Sequence, residues 1–380
     1  MAIPFVELQS QFRAIEGEVR AAMDRVLNRS WFVLGEECAA FETEFAAWLG
    51  ADHAVGVGSG TDAIHLALRA AGVGHGDEVI TAANTCVPTV AGIGASGATP
   101  VLVDAHPDTL TLDPDGLPAA RTERTRAIVP VHLYGHPCDM DPILAFAEEH
   151  GLAVVEDCAQ AHGARYKGRA CGTLGHLAAL SFYPSKNLGA CGDGGAVTTG
   201  NPALAASLRK LRNYGEEARY THTIPGFNSR LDELQAAVLR AKLPHLDGWN
   251  AARRNLAVRY AHALGALPVV LPPQAEWAGS AWHLYPIRTE SRNQLQEYLR
   301  NKEIHTLIHY PTPVHQQPAY RGLGYRAGDF PVAERACATV LSLPFYPEIP
   351  PESLDAVTAA IAQFFATGGL SSDSPGGTVI

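Results

Sequence analysis

Charge is scarce in this sequence, and positive charge is scarcer still. Only 18% of the 380 residues are Asp, Glu, Lys or Arg, and 29 basic residues face 39 acidic ones, a formal net charge of −10. No run of Lys and Arg rises above that background. Binding to nucleic acid or to an anionic membrane surface needs clustered positive charge, so both are disfavoured. No stretch approaches ~18 consecutive apolar residues, the length a membrane span requires. The opening "MAIPFVELQS" lacks a basic region leading into an apolar run, so it does not read as a secretory signal. Seven cysteines are present, an odd count with no CxxC pair, which argues against a disulfide framework or a structural zinc site. These absences leave a soluble, cytoplasmic protein as the expectation, with no metal, nucleic-acid or membrane partner.

What is present is apolar and periodic. At 47% hydrophobic residues the chain can bury the core of one large domain plus a smaller one. Residues 11–29 and 37–49 carry helical stripes, the second through Phe41, Phe45 and Trp48. "HAVGVGSG" reads as a strand entering a turn and "TDAIHLALRAAG" as a helix with Gly72 at its end. Short apolar runs then alternate with helical patterns: "DEVITAA", "TPVLVDA", "TRAIVPVHLYG", "LAVVEDCAQ", "LAALSFYPS" and "GGAVTTG" are the strands. That rhythm predicts βαβ units and a mostly parallel sheet. Helices are expected over 202–213 and 230–261, the second broken near Pro244. Past about 265 the pattern changes. "AWHLYPIRT" and "IHTLIHYPTPVH" read as strands flanking the helix "SRNQLQEYLRNKE". The expected division is a large domain over 1–245, a small α+β domain over 246–366, and a disordered Gly/Ser/Pro-rich tail over 367–380.

Four stretches carry chemistry. In "GVGSGTDA" (56–63) a strand ends, glycines turn, and a helix begins. Free N–H groups at a helix start bind anions, and Ser59 and Thr61 add hydroxyls; a plain capped turn reads equally well. The motif lacks the GK[ST] ending of a nucleotide-binding loop. In "AVVEDCAQAHGA" (153–164) a buried strand delivers Glu156 and Asp157 at its C-terminal end, where open parallel sheets bind ligands. A carboxylate there is costly without a cationic partner. "SFYPSKNLGACGDGG" (181–195) places Lys186 on a short link between two buried strands, where a solvated charge is out of place. A desolvated lysine has its neutral amine favoured and can attack a carbonyl. "GFNSRLDELQAA" (226–237) sets Asn228 and Arg230 before a long helix, where capping is the plain alternative. A phosphate cradle, a strand-end carboxylate and a later lysine between strands are together the parts that pyridoxal 5′-phosphate (PLP) needs.

At these residues the chain resembles the DegT/DnrJ/EryC1/StrS family of PLP-dependent sugar aminotransferases. The motifs are "GSGTDA", "ANTCVPT", "EDCAQAHGA", "SFYPSKNLGACGDGGA", "RNYGE", "GFNSRLDELQAA" and "IHYPTPVHQQPAY", in family order over about residues 4–365. The resemblance implies the α/β fold type I of PLP-dependent transferases and a homodimer with active sites at the subunit interface. It implies that Lys186 is the Schiff-base lysine and proton carrier, and that Asp157 pairs with the pyridine nitrogen. It places Gln160 near the phenolic oxygen, Gly60, Thr61 and Ser181 on the phosphate, and Asn228 on that phosphate from the other subunit. Tyr183, His309, Tyr310 and His315 resemble positions near the sugar, with Tyr214 and Arg230 as further candidates. Cys86 departs from the pattern: many members carry there an aromatic residue that stacks on the cofactor, and a thiol is a smaller, polarizable contact.

The implied reaction moves an amino group from L-glutamate to a nucleotide-linked keto-deoxysugar. "NLGACGDGGA", with Asp193, resembles the 3-aminotransferases and favours a dTDP-3-keto-6-deoxyhexose; 4-aminotransferases more often carry Glu at that position. A sugar 3-dehydratase of the family would carry His in place of Lys186. A non-catalytic regulator that kept the fold is the alternative of a different class.

Overall fold

Residues 2–368 are described by a computed structural model. Its centre is a seven-stranded sheet built from β1 (His53–Val57), β2 (Glu78–Ala82), β3 (Thr99–Val103), β4 (Thr125–Val129), β5 (Ala153–Asp157), β6 (Leu177–Ser181) and β7 (Gly195–Thr199). The spatial order is β1-β7-β6-β5-β4-β2-β3. Strands β2 to β6 pair in parallel, whereas β7 runs antiparallel to both β6 and β1. The sheet is therefore mixed and mostly parallel, and the architecture is α/β, as expected.

The strands are near-continuous apolar runs because both faces are covered. Alternate residues serve opposite cores. Ala54, Ile80, Ile128 and Val154 pack beneath α3 (Glu36–Leu49) and α6 (Met140–His150). Val55, Val79, Val129 and Val155 pack beneath α4 (Gly60–Ala70), α5 (Val87–Ala95) and α7 (Pro202–Leu211). Two preceding helices, α1 (Leu8–Ala14) and α2 (Glu16–Arg29), lead into this layer. The stripe over 11–29 is thus not one helix. Ile15 leaves the helical region at φ −127° and ψ 20°, and its side chain joins Val19 and Val238 in a local core.

The expected break near Pro244 is present. Helix α8 (Glu233–Lys242) gives way to one 3₁₀ turn, Leu243–His245, before α9 (Leu246–Leu264). A separate core follows, where Tyr260 meets Ile287, Leu295, Leu299, Leu341, Ile361 and Phe364. They belong to β8 (Pro286–Arg288), α10 (Arg292–Asn301), β9 (Val340–Ser342) and α12 (Pro351–Ala366), with α11 (Pro331–Thr339) just before β9. Ile3 packs into this same core and bridges Ile304. The stretch "IHTLIHYPTPVH" forms no strand. It makes two isolated bridges, Ile304 to Ile3 and Leu307 to Ser342, and Pro311 and Pro313 carry no N–H to extend a ladder. The strand that pairs with β8 is β9 instead. The tail expected to be disordered lies outside the described residues from 369 onward.

Candidate active site

Topology brings the singled-out stretches to one edge. The parallel strands end together, so the Ser59–Thr61 turn after β1, Cys86 after β2, Asp157 at the end of β5 and Ser181 at the end of β6 share one rim. Strand β7 starts at that rim because it returns antiparallel to β6. The return loop carries Lys186, which explains a lysine between two buried strands. These residues, with Gln160, Tyr183, Asp193, His283, His309 and Tyr310, line a cavity of about 410 Å³.

The first feature of the cavity is an anion cradle. Ser59 is extended (φ −162°) and accepts the Asp62 N–H at 3.1 Å, which caps α4 and leaves its first N–H groups facing the rim. A Cβ on Gly60 would lie 2.5 Å from the Ser181 Cβ, so only glycine lets this turn sit against the end of β6. Gly195 has the same task from the other side, where a Cβ would strike the Ser59 carbonyl.

The second feature is a fixed carboxylate. Asp157 is buried; its Oδ2 accepts the Thr89 hydroxyl at 2.8 Å and its Oδ1 accepts the Ala159 N–H at 3.0 Å. Burial raises its pKa, against these two donors and the charges of Lys186 and His132. No cation pairs with it directly among the described residues.

Across the cavity stands Lys186. Its side chain is half-buried because its end faces the open space, and it makes no hydrogen bond or ion pair among the described residues. Burial lowers its pKa, while Cys86 and Asp157 oppose that shift. Gln160 is oriented by two partners: its Oε1 accepts the Tyr134 N–H at 2.6 Å and its Nε2 donates to the Tyr310 hydroxyl at 3.1 Å. Burial also pushes the Cys86 thiol and the Tyr310 phenol up, and pushes His309 down to about 4, so His309 is neutral at pH 7.

Other expected residues stand elsewhere within this chain. His315 is buried behind the rim, against Glu334 at 3.0 Å and edge-on to Phe330, and does not line the cavity. Asn228 is exposed and does not line its own chain's cavity. Its neighbour Ser229 donates to Asp62 at 2.8 Å and accepts the Gly58 N–H at 3.0 Å, which ties the loop to the cradle from outside. Arg230 donates to Asn213 at 3.0 Å and lies over the Tyr214 ring. Two wall residues escaped the sequence reading. Thr89 sits in the quoted "ANTCVPT" but only its contact with Asp157 marks it, and His283 hides inside a stretch read simply as a strand. Glu156, beside Asp157, is spent on structure: it accepts the N–H groups of Gly172, Leu174 and Gly175 and faces His132.

This donor set fits PLP. A buried carboxylate without a direct cation suits a protonated ring nitrogen, an unpartnered amine suits a covalent link, and a glycine cradle at a helix start suits a phosphate.

The sequence profile of the DegT/DnrJ/EryC1/StrS aminotransferase family matches residues 13–362. The chain is 51% identical to the erythromycin biosynthesis sensory transduction protein EryC1 of Saccharopolyspora erythraea, over 95% of this chain and 99% of that one. It is also 51% identical to a dTDP-3-amino-3,4,6-trideoxy-alpha-D-glucose transaminase of Streptomyces venezuelae, over 94% and 95% of the two chains. Among solved structures, that of S. venezuelae DesV in complex with a ketimine intermediate superposes with a TM-score of 0.94 at 50% identity, covering 96% of this chain and 98% of that one.

Proposed function

The chain belongs to the DegT/DnrJ/EryC1/StrS aminotransferase family, and on that premise we propose that it transfers an amino group from L-glutamate to C-3 of a dTDP-linked 3-keto-6-deoxyhexose. It is a PLP-dependent transaminase. The observation that carries the reading is the cavity itself, with an unpartnered lysine opposite a buried carboxylate and a glycine cradle between them. A relative at 51% identity named for a dTDP-3-amino sugar supports C-3 over C-4, as does Asp193 in the cavity wall.

When bound, PLP supplies an electron sink and the carbon that carries the amino group between donor and acceptor. Lys186 would hold it covalently, Asp157 would pair with its ring nitrogen, and Gln160 would serve its phenolic oxygen. Cys86 would contact its ring, and Gly60, Thr61 and Ser181 would hold its phosphate. Lys186, once free, takes a proton from the donor carbon and returns one to the sugar carbon. Its lowered pKa keeps more neutral amine available near pH 7 than an ordinary lysine offers. Thr89 fixes the carboxylate of Asp157 so that it need not reorient during the reaction. Tyr183, His309 and Tyr310 meet the sugar at the mouth, His309 as a neutral hydrogen-bonding group.

The working unit is a homodimer, cytoplasmic, in which Asn228 reaches the phosphate of the partner's pocket, whereas His315, buried against Glu334, meets no sugar directly. An exposed Asn228 that does not line its own cavity supports that arrangement. The chain divides near residue 245, at the broken helix, between the cofactor-holding part (1–245) and a smaller C-terminal part (246–366), although Leu246 and Ala281 pack into the first core and Ile3 into the second.

Incubation with PLP, L-glutamate and a panel of dTDP-3-keto and dTDP-4-keto sugars, with product analysis, tests the reading. Amination of the 3-keto sugars alone is expected. Amination of the 4-keto sugars alone would overturn the regiochemistry. Failure of L-glutamate to change the cofactor's absorption would favour a non-catalytic regulator.

A further inference from the structure

His283 is buried in the wall of the cavity, yet no step above uses it. Its hydrogen bonds determine which ring nitrogen carries the proton. Asn187, the residue after Lys186, donates from Nδ2 to the Ala281 carbonyl at 2.8 Å and to Asn250 Oδ1 at 2.9 Å. Asn250 in turn donates from Nδ2 to the His162 carbonyl at 2.9 Å. Backbone carbonyls accept only, so both amides can face only one way. Asn187 Oδ1 is therefore left as an acceptor, and it lies 3.2 Å from His283 Nδ1. The proton sits on Nδ1, and Nε2 presents a lone pair.

That lone pair has no partner among the described residues, and Nε2 is not sealed among buried atoms. His283 and Lys186 line the same cavity, and the Lys186 amine also lacks a partner. The backbone holds the ring in place: the His283 N–H donates to the Tyr134 carbonyl at 2.9 Å, and its carbonyl accepts Arg253 at 3.2 Å. We propose that His283 is a positioning residue for Lys186, a neutral imidazole whose Nε2 accepts an N–H of the lysine amine once that side chain turns from the position seen here, in which the two are not bonded. Holding one N–H fixes where the nitrogen's remaining valence points, which a proton carrier at a single carbon requires. The clamp Asn250–Asn187–His283 starts one residue from the lysine, so the same loop that delivers the amine also sets the tautomer of its acceptor.

The imidazole stays neutral because of its surroundings. Burial, Lys186, Arg253, His309 and His162 all push its pKa well below the ordinary value. Around the lysine, the cavity also presents Cys86, Asp157, Tyr183, Asp193 and Tyr310. An acceptor beside an amine favours the ammonium form, so removing it lowers the lysine's pKa.

This inference rests on Lys186 being the proton carrier, and its test is separable from that reading. In the cofactor-free full-length chain, trace acylation as a function of pH, read on the Lys186 peptide by mass spectrometry, gives the amine's titration. His283→Phe is expected to lower that apparent pKa by about one to two pH units. His283→Gln, whose amide can place an oxygen near the Nε2 position, is expected to restore most of the loss. Nitrogen-15 NMR of the unmodified protein is expected to show the Nδ1–H tautomer across neutral pH, and it keeps the proposal falsifiable even if the Phe variant does not fold. An unchanged Lys186 titration in His283→Phe, or an Nε2–H tautomer, overturns the proposal. Borohydride reduction of the cofactor-loaded protein, which fixes an imine on Lys186 as a stable amine, tests the covalent reading in parallel and independently of both outcomes.

Discussion

Asp157 is the residue whose environment is least comfortable and most informative. In the cofactor-free chain burial raises its pKa, so the folded state holds that proton more tightly than the unfolded state does. Its contribution to stability is therefore lost as pH rises from the ordinary carboxylate range through the raised value. Asp157→Asn removes a carboxylate that must otherwise be ionised while buried. We expect the cofactor-free variant to melt no lower than the parent at pH 7, measured by calorimetry, while turnover falls by about two to three orders of magnitude. A melting temperature well below the parent's would show that the carboxylate is structural. Thr89→Val, which removes the donor on Oδ2, is expected to weaken PLP binding by about tenfold in an absorbance titration. Residue types at this scale were largely legible in the sequence, since Asp157, Lys186 and Ser181 occupy strand ends and a strand link. Thr89 and His283 were not, because a hydroxyl in a helix's first turn and a histidine in an extended segment gain meaning only from what folds against them.

Among elements, the β1–α4 turn and the Lys186 loop depend on each other. The turn can approach Ser181 only through Gly60, and β7 can leave the loop beneath Ser59 only through Gly195. Gly60→Ala is expected to leave the far-ultraviolet circular dichroism unchanged and to lower PLP affinity at least about tenfold, because the turn must move off Ser181. Unchanged affinity would mean that the phosphate is held elsewhere. The strands were legible because two covered faces demand short continuous apolar runs, and the break at Pro244 because proline cannot continue a helix. Two features were not legible. Ile15 interrupts a regular stripe to fill a tertiary core, and the partner of β8 is β9, a short strand that the sequence reading did not mark. Local pattern fixes an element's type, but pairing partners are chosen across the fold.

At the scale of the whole molecule, the cavity of one chain holds the lysine and carboxylate but not Asn228 or His315. If Asn228 serves the partner's pocket, co-expressing Lys186→Ala with Asn228→Ala chains assembles hybrid dimers in which one pocket is intact. Purified hybrids are expected to recover about half the parent's activity, since one of the two sites of the dimer is complete. Hybrids no more active than Asn228→Ala alone would place that residue in its own chain's pocket. By its residues alone Asn228 reads as a cap; the family resemblance implies a role across a subunit boundary, and its exposure outside its own cavity is what the fold adds. The account's central claim is that Lys186 links covalently to the cofactor, and the most direct measurement is peptide mass mapping after borohydride reduction of the PLP-loaded enzyme. The account predicts the reduced phosphopyridoxyl group on Lys186 and on no other lysine; an active enzyme carrying it elsewhere, or not at all, would contradict it.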